Sequence, residues 1–263
     1  MELSGARVLV TGASRGIGER TARAFADRGA RVALVARGVD ALAKLAAELG
    51  GDAYPTDLAD PTAVAGLFDR IEADGPVAVV VNNAGIDLAS RFVDTDAAAI
   101  EALYRVNLLA PTELCRQALV RMLPRRHGHL VNVSSLAGVA ALPGLVAYSA
   151  SKAGLSQLTA ALRAETKGTG IGTTLVELGP VVTDMLDSVH SYGPTARGFE
   201  RGARIGVITD LDADVVARAI VDAVRRDRRH VRLPRRSSLL MMIGEVPRRL
   251  TEIMLVGVDH HRS

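Results

Sequence analysis

The stretch TGASRGIG at residues 11–18 lies directly between an apolar run and a helical pattern. The apolar run at 6–11, ARVLVT, is short and β-rich, which predicts a strand. Residues 16–28 carry the apolar spacing of a helix. A glycine-rich turn between a strand and a helix is typical of a parallel sheet that binds a ligand at its carboxyl edge. The turn therefore predicts a βα unit at the start of an α/β fold.

Three glycines make this turn suitable for binding an anion. Gly12, Gly16 and Gly18 permit a tight turn and let backbone N–H groups come close to a phosphate. The helix that begins at Gly16 directs the partial positive charge of its N-terminus to the same place. Ser14 and Arg15 add a hydroxyl group and a charge at the mouth of the turn. These residues predict a binding site for a pyrophosphate.

Short apolar runs continue to alternate with longer amphipathic stretches along the chain. Strands are predicted at 6–11, 31–36, 52–58, 77–81, 129–134, 172–178 and 230–233. Helices are predicted at 16–28, 40–49, 61–73, 97–122, 148–167 and 212–226. This order predicts an α/β fold of Rossmann type, a doubly wound parallel sheet of about seven strands with helices on both faces. Since no linker or repeat divides the chain, we expect a single domain over residues 1–236 and a tail over 237–263.

The composition excludes several classes of protein. The single cysteine, Cys115, leaves no intrachain disulfide and no cysteine-based zinc site, and we predict no metal site. The N-terminus lacks the apolar segment of a signal peptide, and no apolar run reaches the roughly 18 residues of a membrane span. We therefore expect a cytoplasmic protein.

The tail at 237–263 is apolar with basic interruptions, and positive charge is concentrated around its start. Residues 225–249 hold nine arginines and two acids, an excess of seven positive charges. We expect the tail to pack on the domain or at a subunit interface, and peripheral contact with an anionic membrane is the alternative. No nucleic-acid partner is expected, because the stretch lacks aromatic residues for base stacking.

The end of the second predicted strand indicates which dinucleotide binds. NAD sites usually carry an acid there for the ribose 2′-hydroxyl, whereas this chain has Ala36 and Arg37. Arg15 and Arg37 together are suited to hold a 2′-phosphate through charge-assisted hydrogen bonds. The sequence therefore predicts NADP(H) as the preferred cofactor and leaves NAD(H) open.

Five motifs follow one another in a fixed order: the glycine turn, NNAG at 82–85, Asn107, VNVSS at 131–135 and YSASK at 148–152. With these motifs at these spacings, the chain resembles the short-chain dehydrogenase/reductase family. The resemblance covers residues 4–185 and continues weakly to 233. It implies an oxidoreductase that moves a hydride between nicotinamide and a secondary alcohol or ketone, assembled as a homodimer or homotetramer.

The resemblance also implies which residues contact the cofactor. These are Gly12, Ser14, Arg15, Gly16, Ile17, Gly18, Arg37, Asp57, Leu58, Asn83, Ala84, Gly85, Tyr148, Lys152 and Thr183. Asp57 matches the acid beside the adenine ring, and Asn83 matches the residue that ties the sheet together. Thr183 matches the residue that holds the nicotinamide carboxamide, although Leu178 stands where the family usually has a proline.

The catalytic residues implied by the resemblance are Asn107, Ser135, Tyr148 and Lys152. The family spacing of thirteen residues before the tyrosine selects Ser135, which gives the adjacent Ser134 a structural role. Tyr148 would act as general acid or base, and Lys152, four residues later on the same helix face, is expected to lower its pKa. Ser135 would stabilise charge on the substrate oxygen, and Asn107 would position a water that links Lys152 to solvent.

Residues 184–205 show little periodicity, and the resemblance implies that they cover the substrate as a lid. Candidates for the pocket wall are Leu186, Val189, Tyr192 and Phe199, which favours an apolar substrate. A cleaner helix follows, and its apolar stripe is predicted to belong to the core or to a subunit interface. The stripe consists of Val215, Val216, Ala219, Ile220, Ala223 and Val224.

The sequence thus predicts an NADP(H)-dependent oxidoreductase that acts on a small carbonyl or alcohol substrate through Tyr148. The alternative is a catalytically weak NADP-binding protein that serves as a sensor or scaffold. The complete set of asparagine, serine, tyrosine and lysine argues against that alternative, because such a protein has no need of it.

Overall fold

The computed structural model describes residues 1–140, 143–181, 192–204 and 209–234. They form one sheet of seven parallel strands. The strands are β1 (Arg7–Thr11), β2 (Arg31–Ala36), β3 (Asp52–Pro55), β4 (Val77–Asn82), β5 (Gly128–Ser135), β6 (Ile171–Leu178) and β7 (His230–Leu233). Their order in the sheet is β3-β2-β1-β4-β5-β6-β7. The order reverses between β1 and β4, so the carboxyl ends of these two strands open onto a crevice.

The strands are connected mainly by helices. These are α1 (Gly16–Ala26), α2 (Val39–Leu49), α3 (Pro61–Ala65), α4 (Leu67–Glu72), α5 (Ala97–Tyr104), α6 (Ala110–Arg125), α7 (Val146–Glu165), α8 (Gly193–Arg204) and α9 (Ala213–Arg225). Two 3₁₀ turns lie at Phe92–Asp94 and Leu136–Gly138, and a π-helical turn at Arg105–Leu109 joins α5 to α6.

The helices cover both faces of the sheet. On one face, α1, α2 and α9 pack on the apolar side chains of the strands, with Phe25 and Ile220 fully buried among them. On the other face, α4 and α6 do the same through Phe68 and Leu114. Because both faces are covered, the central strands are apolar on both sides, as in Val79–Val81 of β4. This arrangement confirms the predicted fold class and number of strands.

Two of the predicted helices are interrupted. The helix predicted at 61–73 breaks at Gly66 into α3 and α4. The helical region predicted at 97–122 is divided by the π-helical turn and extends to Arg125. In both cases the apolar spacing remains in phase across the break, so it does not indicate the change in backbone hydrogen bonding.

Two expectations for the last third of the chain need correction. The region 193–204, where no periodicity was found, is helix α8. Only Thr195 of this helix is fully buried. Because the helix does not pack on the core, it does not need the apolar stripe by which other helices were predicted. In α9 the predicted stripe is wrong at Val215, which is 43% exposed, whereas Ala217 and Val221 are buried.

Several predictions concern residues outside the described ranges. Thr183, Leu186, Val189 and the tail at 237–263 are among them. In the part of the chain that is described, no helix is both long and apolar enough to cross a membrane. The same ranges contain no cluster of three His, Cys, Asp or Glu side chains that could hold a metal ion.

Candidate active site

A cavity of about 1200 Å³ lies at the carboxyl ends of the strands, where the strand order reverses. It extends from the glycine turn to the Tyr148 side chain. Most of the predicted site residues line it: Gly12, Ser14, Arg15, Gly16, Ile17, Arg37, Asp57, Leu58, Asn83, Ala84, Gly85, Ser135, Tyr148 and Lys152. The cavity thus brings the predicted dinucleotide site and three of the four predicted catalytic residues, Ser135, Tyr148 and Lys152, into one continuous space.

The glycine turn is packed so closely that side chains are excluded from it. Gly12 has a φ of +67°, and a Cβ there would lie 2.9 Å from the Cα of Ala84. A Cβ on Gly18 would overlap the carbonyl oxygen of Gly12. Gly18 does not line the cavity, so its role is to let α1 approach the turn. Gly12 and Gly16, in contrast, border the space that a ligand would occupy.

The NNAG segment is tied to the end of β1. Asn83 donates from its backbone N–H to Thr11 Oγ1 and from Nδ2 to the Thr11 carbonyl, both at 3.0 Å. Ala84 donates to the same hydroxyl oxygen at 3.0 Å. Thr11 was not among the predicted site residues, although its place at the end of an apolar strand, directly before the glycine turn, indicates such a role. These bonds fix the edges of the crevice relative to each other.

The adenine end of the cavity is formed by the ends of β2 and β3. Arg37 is exposed at its rim, as is Arg15 beside the glycine turn. Asp57 follows β3 and accepts a hydrogen bond from the backbone of Ala59 at 3.0 Å. Leu58 is buried beneath it. The two arginines provide positive charge at the place where the sequence predicts a 2′-phosphate.

Tyr148 and Ser135 both line the cavity. Burial raises the pKa of Tyr148 to about 12; the Ser135 hydroxyl lowers it, and the Asp87 carboxylate raises it further. The Ser135 hydroxyl also accepts a hydrogen bond from Ala137 N at 3.1 Å and donates to the Leu178 carbonyl at 3.5 Å. Ser135 is therefore held beside the phenol by β6 and by the turn that follows β5.

Lys152 does not have the predicted effect on the pKa of Tyr148. Its ammonium donates to the Val133 carbonyl at 3.0 Å and lies 5.8 Å from the centre of the tyrosine ring. Burial lowers the pKa of Lys152 to about 8. The expectation was based on spacing along a helix, which does not include the cost of removing both groups from water. In this structure burial outweighs attraction between them.

Asn107 lies in the π-helical turn and is fully buried. Its Nδ2 donates to the Ile86 carbonyl at 2.8 Å and to Ser151 Oγ at 3.2 Å. Ser151 in turn donates to the Tyr148 carbonyl at 2.7 Å. Asn107 does not line the cavity itself, but this chain of bonds connects it to the helix that carries Tyr148. Single-turn π-helical segments often occur at functional sites.

A second polar network lies below the cavity. Ser134 is buried, donates to the Lys152 carbonyl at 2.9 Å and shares a hydrogen bond with Ser156 at 2.8 Å. Deeper still, Asn132 accepts from Asn82 at 2.8 Å and donates to Thr159 at 2.9 Å. These bonds fix α7 on the sheet. This network was not predicted, although Asn82 and Asn132, two polar residues within apolar strands, indicated it.

The far end of the cavity is apolar. Leu136, Ala140 and Leu145 line it together with Phe199 from α8. Helix α8 is attached there through Thr195, whose hydroxyl donates to the Pro143 carbonyl at 2.7 Å. Of the residues predicted for the pocket wall, Phe199 reaches the cavity, whereas Tyr192 contacts Gly144 beside it.

The fold and the site define a class of protein. A doubly wound parallel sheet with a glycine turn at its switch point is a dinucleotide-binding fold. The close packing at Gly12 and the cationic rim fit a dinucleotide. Residues 6–192 match the family model described as short chain dehydrogenase. The chain belongs to the short-chain dehydrogenase/reductase family of oxidoreductases, as its motifs predict.

Similar proteins support this assignment. The chain is 39% identical over 233 residues to the probable oxidoreductase EphD of Mycobacterium tuberculosis, covering 83% of this chain but only 39% of that relative. A short-chain dehydrogenase from Sphingobium yanoikuyae in complex with NADPH has a TM-score of 0.79 and 26% identity over 98% of both chains. The bulky-bulky ketone specific alcohol dehydrogenase from Comamonas testosteroni has a TM-score of 0.78 and 25% identity, covering 98% of this chain and 96% of that one.

Proposed function

We propose that the protein is an NADP(H)-dependent oxidoreductase that interconverts a ketone and a secondary alcohol, with Tyr148 as the general acid or base. One observation carries the proposal. Tyr148, Ser135 and Lys152 line the same cavity as the glycine turn. Hydride transfer needs the reacting carbon at a nicotinamide and its oxygen at a proton donor, and a continuous cavity permits both.

The proton chemistry favours reduction of a ketone at neutral pH. Because the pKa of Tyr148 is raised to about 12, the phenol keeps its proton and donates it to the carbonyl oxygen as the hydride reaches the carbon. Ser135 holds that oxygen and stabilises its developing charge. The resulting phenolate lies near Lys152, whose pKa of about 8 suits it to pass on a proton. Oxidation of the alcohol requires the phenolate first and is therefore favoured by higher pH.

The hydride is supplied by the nicotinamide of the bound cofactor. The glycine turn and the N-terminus of α1 would hold its pyrophosphate, and Arg15 and Arg37 its 2′-phosphate. The Sphingobium neighbour with NADPH bound supports this assignment. The preference for NADP(H) over NAD(H) rests on Arg37, because no carboxylate stands at the end of β2.

The substrate is proposed to be an apolar ketone. Leu136, Leu145 and Phe199 surround the end of the cavity next to Tyr148 and leave few polar groups to solvate a charged substrate there. The Comamonas neighbour, described as specific for bulky-bulky ketones, supports the same class of substrate.

We also propose a cytoplasmic homodimer or homotetramer. The outer side of α6 and the turn before it expose three apolar side chains, Leu109, Val120 and Leu123, which a second copy of the chain would cover. Light scattering on the purified protein measures the assembly, and a monomer at micromolar concentration would contradict this part of the proposal.

The first experiment is a titration of the purified protein with NADPH and NADH, followed by nicotinamide fluorescence, and then a panel of ketones added to the saturated complex. We expect tighter binding of NADPH and loss of fluorescence with apolar ketones. Binding without turnover on any ketone would favour the sensor or scaffold alternative. If neither cofactor binds, the proposal is wrong.

A further inference from the structure

The carboxyl half of α8 forms a second charged wall of the cavity. Phe199, Arg201 and Arg204 line the cavity together with the glycine turn. The segment that contains α8 leaves the sheet after β6 and returns before α9, and its two ends pair at a parallel bridge between Val181 and Leu211. Since Val181 also lines the cavity, α8 is anchored at the carboxyl edge of the sheet, where dinucleotides bind.

Among the described residues, neither Arg201 nor Arg204 has a partner that explains its position. Within residues 1–140, 143–181, 192–204 and 209–234, no hydrogen bond or ion pair involves either side chain. Cations in the last turn of a helix are favoured by the helix dipole, but that effect does not require them to line a cavity. Arg197 is one turn earlier on the same helix, is also exposed and does not line the cavity.

The charges of the cavity are unbalanced. Among the described residues, its lining contains six cations, Arg15, Arg20, Arg37, Lys152, Arg201 and Arg204, and two acids, Glu19 and Asp57. Glu19 already binds Arg23 at 2.9 Å. A ligand with several negative charges would therefore be attracted, and two unpaired guanidinium groups on α8 are suited to oxygen atoms of a phosphate.

The two arginines line the same cavity as the N-terminus of α1. They share its lining with Glu19 and Arg20 from the first turns of α1 and with Ala213 at the start of α9. Arg20 lies 3.7 Å from Asp214, which places the start of α9 beside α1. The N-terminus of α1 is the pyrophosphate end of such a site, whereas Arg37 and Asp57 mark the adenine end.

We propose that Arg201 and Arg204 bind the pyrophosphate of the dinucleotide from α8, across the cleft from the glycine turn. This inference rests on the proposed function, since it takes the bound ligand to be a nicotinamide dinucleotide. Phe199 precedes Arg201 by two residues on the same helix and lines the apolar end of the cavity. Cofactor binding therefore also positions one wall of the substrate pocket, which predicts that the cofactor binds before the ketone.

The first test measures dissociation constants of NADPH and NADH for the wild type, for a double variant with Arg201→Ala and Arg204→Ala, and for the control Arg197→Ala. Charge-assisted hydrogen bonds are worth enough that we expect about tenfold weaker binding for each arginine removed. Because both cofactors contain the pyrophosphate, the loss should be equal for NADPH and NADH. Arg197→Ala should bind both cofactors like the wild type.

The second test measures how accessible α8 is to a protease and needs no substrate turnover. Glu200 is exposed on this helix, so cleavage by a glutamate-specific protease reports whether α8 is accessible. We expect NADPH to protect Glu200 in the wild type and in Arg197→Ala but not in the double variant. Unfolding midpoints in urea should agree among the three proteins, since the substituted side chains are exposed.

The outcomes separate this inference from the proposed function. If the wild type binds NADPH and the double variant binds it equally well, the pyrophosphate assignment is wrong. A loss confined to NADPH would assign the arginines to the 2′-phosphate and overturn the inference as well. An unchanged cofactor affinity with a raised KM for the ketone would assign them to the substrate. Failure of the wild type to bind either cofactor would overturn the proposed function instead.

Discussion

The side chain of Asn107 satisfies both backbone polar groups of Ile86. Its Oδ1 accepts from the Ile86 N–H at 2.8 Å, and its Nδ2 donates to the Ile86 carbonyl at 2.8 Å. Ile86 lines the cavity and follows directly on the NNAG segment. The π-helical turn thus fixes the loop after β4 relative to α7, and the same asparagine is predicted to act in catalysis.

We expect Asn107→Ala to lower the free energy of unfolding by about 1–3 kcal/mol, because two part-buried backbone groups of Ile86 lose their partners. Urea denaturation measures this change. Ser149→Ala is the control, since Ser149 Oγ is a buried hydroxyl with no hydrogen-bond partner among the described residues. Equal stability of the two variants would show that Asn107 does not hold the loop.

Tyr148→Phe should reduce kcat by a factor of about 10²–10⁴, the usual contribution of a positioned general acid or base. The substitution removes only the hydroxyl, so the affinity for NADPH should stay close to that of the wild type. Steady-state rates on an apolar ketone and a fluorescence titration measure the two quantities. A variant that turns over at the wild-type rate would sink the proposed mechanism.

The two adjacent serines should differ in what they control. Ser135→Ala should lower kcat strongly, because Ser135 lines the cavity with Tyr148 and lowers the pKa of its phenol. Ser134→Ala should instead lower the free energy of unfolding by about 1–2 kcal/mol, because it removes the bonds to the Lys152 carbonyl and to Ser156. Rates and urea denaturation of both variants check this, and the reverse pattern would mean that the spacing selected the wrong serine.

Arg37→Asp should weaken NADPH binding about a hundredfold and leave NADH binding within a few-fold, because the change places a carboxylate where a 2′-phosphate is expected. Fluorescence titrations with both cofactors measure the ratio. Arg31→Asp is a matched control, since Arg31 is exposed at the opposite end of the same strand and the net charge changes equally. An unchanged preference in Arg37→Asp would refute the assignment of the 2′-phosphate.

The sheet could be predicted from the sequence because each strand has its own short apolar run. The run Val77–Val81 is apolar on every side chain, which only a strand covered on both faces requires. The glycine turn was equally readable, because the φ of +67° at Gly12 and the contact between Gly18 and the Gly12 carbonyl are both set within the turn. These features depend on neighbours in the chain or on the backbone itself.

Features that depend on distant contacts could not be predicted in the same way. Helix α8 buries only Thr195 fully and contains few apolar residues, so its sequence lacks the apolar stripe of a helix that packs on the core. The bonds of Thr11 to the NNAG segment join residues more than seventy positions apart. The pKa of Tyr148 was expected to fall and instead rises, because the spacing to Lys152 was known while the burial of both groups was not.

The burial of Lys152 should make stability depend on pH in a window that the pKa defines. The pKa of Lys152 falls from 10.5 to about 8 in the folded protein, so between these values the unfolded chain binds more protons and stability rises with pH. Relative to Lys152→Met, which cannot titrate, the free energy of unfolding of the wild type should rise by about 2 kcal/mol from pH 7.5 to 9.5.

Urea denaturation of both proteins across this range measures the difference in the free energy of unfolding. The subtraction removes the contribution of groups that titrate alike in both proteins. The window ends below pH 10 because the raised pKa of Tyr148 makes stability fall above that value. A difference that stays constant with pH would mean that Lys152 keeps its ordinary pKa and its proton throughout this range, and that Tyr148 has a charged ammonium beside it.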